Sequence, residues 1–157
     1  MSDMNSFQKY RSQILISKLE NNSTLLDFGS GDGNILKQVA KNKKIKITAS
    51  DFSIKSISHL RDEKFEVIEL DVSNNNGLKE LKNFDYISAL EVLEHIQNPE
   101  DLLIEMIKKS KKGVFVSFPN TGYIFYRLRF LFGRFPVTVE KVRPPSVDLR
   151  TFCFLPK

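Results

Sequence analysis

The chain has 157 residues, of which 41% are apolar and 27% charged, so it is neither fibrous nor disordered and suffices for one globular domain. The lone Cys153 excludes an internal disulfide and a multi-cysteine zinc site, so we expect a cytoplasmic protein without a metal. A net charge of +5 permits acidic partners without requiring them, and no apolar stretch is long enough to predict a membrane span.

Short apolar runs alternate with helical patterns over most of the chain, which predicts α/β architecture with a doubly wound, mostly parallel sheet. The predicted strands are Leu25–Phe28, Ile45–Ala49, Phe65–Leu70, Tyr86–Leu90 and Val114–Phe118. We expect a single domain over 1–157, which comprises an N-terminal helix within 1–22, core βα units over 23–118, and an aromatic and cationic segment with a tail over 119–157.

Helical spacing and capping residues predict the helices. Apolar side chains at Phe7, Tyr10, Ile14 and Leu15 predict a first helix over 7–19 that covers one face of the domain. The remaining predicted helices are Asn34–Lys41, one capped by Ser53 with Ile54, Ile57 and Leu60 inward, a short one near Leu78 and Leu81, and one capped by Asn98 that runs to about Lys109.

A glycine-rich loop follows the first predicted strand. It reads Asp27-Phe28-Gly29-Ser30-Gly31-Asp32-Gly33 and opens a helix. Glycines there allow a tight turn and close approach of the backbone to a ligand, while the helix offers free N–H groups. The spacing G-x-G-x-G departs from the dinucleotide pattern, and no Gly-Lys-Ser or Gly-Lys-Thr follows. A ligand loop and a plain turn before a helix both remain open on this signal alone.

Two acids follow the next two strands at corresponding positions, Asp51 after the second and Asp71 after the third. The carboxyl ends of parallel strands share one crevice. A carboxylate there can accept both hydroxyls of a ribose, Phe52 can lie against a base, and Asp71 can accept from an exocyclic amine. Singly these acids would be loop acids or helix caps, but with the glycine loop they describe a pocket for a nucleoside.

These motifs together resemble class I S-adenosylmethionine-dependent methyltransferases. The resemblance rests on the glycine loop, the two strand-end acids and the run Leu90-Glu91-Val92-Leu93-Glu94-His95-Ile96. A closer resemblance to the MetW-type, methionine-biosynthesis-associated members is carried by Val116-Ser117-Phe118-Pro119-Asn120, Arg127-Leu128-Arg129 and Gly133-Arg134-Phe135-Pro136-Val137.

The resemblance implies S-adenosylmethionine as cofactor and S-adenosylhomocysteine as product. In similar proteins the glycine loop backs the methionine portion, so Asp27, Gly29, Ser30, Gly31 and Gly33 become cofactor-binding candidates, with Ser30 standing where relatives often have Cys. The resemblance further places the ribose at Asp51 beside Phe52, the adenine amino group at Asp71 beside Val72, and the mouth near the sulfonium at Leu90 and Glu91.

Glu94 and His95 are the candidate catalytic bases, because they lie nearest the expected methyl group. A base is needed only where the acceptor arrives protonated, and histidine titrates near neutrality. The alternative is that both residues simply form the turn after the fourth strand.

The segment Tyr123–Phe135 combines aromatic side chains with three arginines. It suits a lid over the acceptor, an amphipathic helix at a membrane surface, or a docking face for another protein, and packing against the sheet is the simplest alternative. The lysines at 41–46 and 108–112 precede strands and therefore lie at the sheet end opposite the pocket, which argues against a nucleic-acid partner.

The chain departs from the family pattern at its C-terminus, where we expect the usual strand pair to be missing. An uncovered sheet edge favours association, so a truncation, a fragment and a homo-oligomer that completes the sheet all stay open. We predict methyl transfer to a small-molecule acceptor. The rival is a cofactor-binding regulatory protein that contacts homoserine O-acetyltransferase, the partner implied by MetW-type relatives.

Overall fold

The computed structural model describes residues 4–72, 76–119 and 150–156. Its helices are α1 (Ser6–Lys18), α2 (Asn34–Asn42), α3 (Ile54–Asp62), α4 (Asn76–Lys79) and α5 (Pro99–Lys109), with a 3-10 turn over Leu93–His95. Its strands are β1 (Thr24–Phe28), β2 (Lys46–Asp51), β3 (Glu66–Glu69), β4 (Phe84–Leu90), β5 (Ser110–Pro119) and β6 (Arg150–Pro156).

The six strands form one sheet in the order β3-β2-β1-β4-β5-β6. Strands β1 to β5 pair in parallel, and β6 pairs antiparallel with β5. The predicted α/β fold with a mostly parallel sheet is confirmed. Because β1 lies at the centre, between β2 and β4, the loops that leave these three strands meet at one edge of the sheet.

Alternate residues of the central strand enter two separate cores. Leu25 joins Leu15 of α1 and Leu36 of α2 in one cluster, while Leu26 joins Leu102 and Met106 of α5 in the other. Both faces of the sheet are therefore covered by helices. This explains why the strands read as continuous apolar runs rather than as an alternating pattern.

Strand β6 lies outside the sequence-based predictions. One antiparallel strand, and not a pair, is described beyond β5, so the β5 edge that was expected to be open is covered. The ring of Phe154 stacks on Phe115 with a centroid distance of 4.7 Å. A Cβ atom at Gly113 would come within 2.5 Å of the Phe154 ring, so the absence of a side chain there lets β6 approach.

Several predicted helix faces and caps are wrong. Tyr10 is exposed, whereas Arg11 is buried on α1, and Ile54 is exposed at the start of α3. Ser53 and Asn98 occupy N-cap positions, but neither side chain makes a capping hydrogen bond. Helical spacing alone does not predict which of these residues are buried. The burial of Arg11, for example, depends on a contact with a distant part of the chain.

The segment Tyr123–Phe135 lies outside the described residues. Within the described ranges, none of the helices combines the length and the apolar character needed to cross a membrane.

Candidate functional site

The sheet topology brings the predicted site residues together at the carboxyl ends of the parallel strands. The glycine loop leaves β1, Asp51 ends β2, Asp71 follows β3, and Glu91 follows β4. Strand β1 pairs with both β2 and β4, and the register places Phe28 beside Ser50 and Ala89. The backbones of β1, β2 and β4 therefore end side by side, and their loops surround the crevice above the centre of the sheet.

The three glycines of the loop all adopt left-handed backbone conformations but face different surroundings. Their φ angles are 63° at Gly29, 55° at Gly31 and 65° at Gly33. A Cβ atom at Gly29 would lie 2.6 Å from Val92, and one at Gly33 would lie 2.8 Å from Leu60. At Gly31 no atom of the described residues lies within 4 Å of such an atom. Gly31 is thus the loop glycine whose side-chain direction is open, while the residue itself is half-buried and Gly29 is the exposed one.

The carboxylate of Asp51 holds this loop in place. The N–H of Gly31 donates to Asp51 Oδ2 and the N–H of Ser53 donates to Asp51 Oδ1, both at 2.9 Å. Asp51 is only 7% exposed. Each carboxylate oxygen has a second lone-pair site, so Asp51 retains capacity to accept two more donors. This arrangement fits the ribose diol that was predicted for it.

Asp27 lies beneath the loop and is 6% exposed. The hydroxyl of Ser88 on β4 donates to Asp27 Oδ1 at 2.5 Å. Burial raises the pKa of Asp27 to about 6, against the opposing effect of hydrogen bonds from Ser88 and Ser30. Asp27 therefore joins β1 to β4 under the crevice.

Ser30 fastens the glycine loop to the neighbouring strand. Its N–H donates to the carbonyl of Ser50 at 2.9 Å, and its hydroxyl donates to the carbonyl of Asp27 at 3.0 Å. The loop conformation is thus fixed by β2 as well as by its own glycines.

The three residues expected near the adenine differ in how exposed they are. Phe52 is 71% exposed directly after Asp51, which is unusual for a phenylalanine and leaves its ring accessible to a base. Asp71 is also exposed. Val72, in contrast, packs into the core cluster with Phe28, so its side chain does not present a contact surface for a ligand.

Glu91 is held at the end of β4 by a residue that the sequence analysis missed. Its Oε1 accepts from Arg11 Nη2 of α1 at 2.5 Å. Its N–H donates to the hydroxyl of Ser117 at 3.0 Å. The signal that identifies Arg11 is an arginine on the buried face of an N-terminal helix, but its partner lies 80 positions away. Leu90, which precedes Glu91, is buried in the core.

Glu94 and His95 lie in the 3-10 turn after β4, and both are exposed. The N–H of His95 donates to the carbonyl of Val92 at 3.0 Å, which closes the turn. Both side chains are therefore reachable by an acceptor from solvent. In the part of the chain that the structure describes, no group of three His, Cys, Asp or Glu residues could hold a metal ion.

Comparisons with known proteins agree with this fold. A family model described as "Methionine biosynthesis protein MetW" matches residues 10–144. No curated protein matches the chain.

Three solved structures illustrate the fold. The chain is similar to coclaurine N-methyltransferase bound to N-methylheliamine and SAH, with TM-score 0.63, 21% identity, and coverage of 74% of this chain and 37% of that one. It is similar to magnesium protoporphyrin IX methyltransferase (ChlM) from Synechocystis PCC 6803 with bound SAH, with TM-score 0.65, 15% identity, and coverage of 88% and 71%. It is also similar to the [4+2]-cyclase SpnF, with TM-score 0.59, 19% identity, and coverage of 69% of this chain and 43% of that one.

These likenesses show the class I methyltransferase fold. The chain spans 37% of the length of coclaurine N-methyltransferase and 43% of that of SpnF. Since one of the three is a cyclase by its description, the fold alone does not fix the reaction.

Proposed function

The chain belongs to the family of the methionine biosynthesis protein MetW, and we propose that it binds S-adenosylmethionine in the crevice above β1 and β2 and transfers a methyl group to a small-molecule acceptor. The proposal rests on the family, on the fold and on the residues at the strand ends.

The observation that carries the proposal is the open space at Gly31 directly against the buried carboxylate of Asp51. At Gly29 and Gly33 the side-chain direction is occupied by Val92 and Leu60, whereas at Gly31 it faces open space among the described residues. At that point the N–H of Gly31 is already bound to Asp51. A nucleoside with two adjacent hydroxyls fits the remaining acceptor capacity of Asp51, and the exposed ring of Phe52 offers an apolar face for its base.

The remaining parts of the cofactor fit the other strand ends. We assign the adenine amino group to Asp71, the ribose to Asp51 and the methionine portion to the loop from Asp27 to Gly33. The sulfonium end is assigned to the neighbourhood of Leu90 and Glu91. These assignments follow the strand order, in which β3, β2, β1 and β4 are successive neighbours.

When bound, S-adenosylmethionine would supply a methyl group carried on a positively charged sulfur. The lone pair of the acceptor would bond to the methyl carbon while the C–S bond breaks, and the sulfur would leave as a neutral thioether. The protein's main contribution to such a transfer is orientation, which can supply several kcal/mol. Glu94 and His95 are our candidates for removing a proton from the acceptor, since both are exposed on the turn that follows β4.

The proposal is tested by calorimetric titration of the full chain with S-adenosylmethionine, S-adenosylhomocysteine and NAD. Asp51→Ala should weaken binding of the first two by roughly tenfold to a hundredfold, because it removes charge-assisted hydrogen bonds of about 1.5 to 3 kcal/mol. Asp62→Ala, at an exposed carboxylate in the last turn of α3, is the matched control and should bind as wild type does. Wild-type affinity in Asp51→Ala would disprove the placement of the ribose.

A second function is favoured by the family description, which names a biosynthetic process and no reaction. On this reading the chain binds the cofactor and regulates a partner, with homoserine O-acetyltransferase as the candidate. Methyl transfer to a panel of small acceptors supports the enzyme, whereas cofactor-dependent co-purification with the acetyltransferase and a change in its activity support the regulator.

A further inference from the structure

An ion pair joins the N-terminal helix to the edge of the crevice. Arg11 of α1 donates to the carboxylate of Glu91, which directly follows β4. The two residues are 80 positions apart in the chain. The Arg11 side chain is 5% exposed and that of Glu91 is 39% exposed. A buried guanidinium requires a partner, and here the partner is a residue of the candidate cofactor site.

The backbone of Glu91 is itself held in an unfavourable conformation. Its φ is 62°, in the left-handed region that residues other than glycine rarely adopt. The Ser117 hydroxyl on β5 accepts its N–H, which helps to retain this conformation. Such strain persists where the surrounding structure enforces it, and it is concentrated at functional sites.

The packing next to Glu91 ties it to the glycine loop. Val92 occupies the space that a side chain at Gly29 would need, since its Cγ2 lies 2.6 Å from the position of a Gly29 Cβ. The position of Glu91 is thus determined from three directions, by α1 through Arg11, by β5 through Ser117 and by the loop through Val92. Fixed placement of this kind is what a group that interacts with a ligand charge requires.

We propose that Arg11 is a positioning residue for Glu91, and that the pair gives the crevice a preference for a cationic sulfonium ligand over the neutral thioether that remains after methyl transfer. This inference rests on the proposed cofactor. Glu91 is the more exposed member of the pair, so its carboxylate, rather than the buried guanidinium, is the group that a ligand cation can approach. Because Coulomb attraction weakens with distance, the nearer negative charge dominates. A thioether has no charge on sulfur and gains little from it.

The test compares the affinities for S-adenosylmethionine and S-adenosylhomocysteine by calorimetry on the full chain. Arg11→Met should weaken binding of S-adenosylmethionine by roughly tenfold and that of S-adenosylhomocysteine clearly less, because only the former uses a charged contact at the sulfur. Arg11→Lys keeps the cation and should restore most of the preference. Lys112→Met is the matched control, since it breaks an ion pair with Glu20 at the opposite end of the sheet.

The outcome that would overturn the inference is an unchanged ratio of the two affinities in Arg11→Met, whether both fall equally or neither changes. A stronger preference in that variant would also overturn it, because Arg11 would then oppose the carboxylate. Should Arg11→Met not fold, the double variant Arg11→Met/Glu91→Met leaves no buried charge unpaired, and it must show the same loss of preference. If the wild-type chain binds neither compound, the proposed function itself is refuted.

Discussion

The buried carboxyl group of Asp27 makes the stability of the fold depend on pH in a specific way. Burial raises the pKa of Asp27 from 3.8 to about 6 in the folded protein. An acid with a raised folded-state pKa stabilises the fold fully below its unfolded pKa, and this contribution is lost as the pH rises through the folded pKa. The difference between 3.8 and about 6 corresponds to about 3 kcal/mol, because one pKa unit is worth about 1.4 kcal/mol.

Asp27→Asn removes this dependence while it keeps an oxygen that can accept from Ser88. The variant's free energy of unfolding, relative to wild type, should therefore increase by about 2 kcal/mol between pH 4 and pH 7, because part of the change has already occurred at pH 4, and stay constant above that range. The amide group that Asn introduces into a buried site has a cost that is the same at every pH. The slope with pH, and not the absolute difference, is consequently the quantity to measure.

The assay is urea denaturation of both proteins at half-unit intervals from pH 4 to pH 8. The lowered pKa values of exposed carboxyl groups such as Glu63, which result from its hydrogen bond to Lys37, affect both proteins equally and cancel in the difference. A difference that does not vary with pH would refute the reasoning. Ser88→Ala offers a second check, since loss of its hydrogen bond should move the pH-dependent range of the wild-type carboxyl group upward.

The other predictions concern the loop and one buried hydroxyl. Gly29→Ala should destabilise the fold by about 2 to 4 kcal/mol through both strain and collision with Val92, whereas Gly31→Ala should cost only about 1 kcal/mol of strain and yet weaken cofactor binding. Urea denaturation and titration together distinguish the two, and equal losses of stability would contradict the assignment of open space to Gly31. Thr48→Val should raise the free energy of unfolding by about 1 kcal/mol, because the buried Thr48 hydroxyl has no hydrogen-bond partner among the residues that the structure describes; a lower value would mean that the hydroxyl is satisfied.

Strands β1, β2, β4 and β5 could be predicted from the sequence because each contains a buried run between turn signals, whereas β3, which has no fully buried residue, was predicted from its apolar residues alone. Strand β1, predicted over 25–28, is found over 24–28, and the acids after β2 and β3 lie at the expected strand ends. The glycine loop could be located for the same reason, since left-handed backbone at three closely spaced positions requires glycine. What could be predicted is therefore what short-range patterns determine.

The remainder depends on contacts between distant parts of the chain. The partner of Arg11 could not be found from a local pattern, because Glu91 lies 80 positions away, directly after β4. Ser53 was expected to cap α3 with its hydroxyl, but its N–H instead binds Asp51, two positions earlier. Strand β6 was not predicted because its pairing with β5 depends on the position of the whole sheet and not on a strong pattern of its own.

The position of β1 between β2 and β4 also has a consequence for the order of folding. The contact of Asp51 with the Gly31 N–H joins positions 20 apart, whereas that of Asp27 with Ser88 joins positions 61 apart. Closing the longer loop costs about 1 kcal/mol more entropy, so we expect β1 and β2 to associate first and β4 to dock later. Asp51 would meet the glycine loop early, but Glu91 would reach the crevice only when β4 docks. Competence to bind a ligand would then appear after β4 has joined β1 and not before.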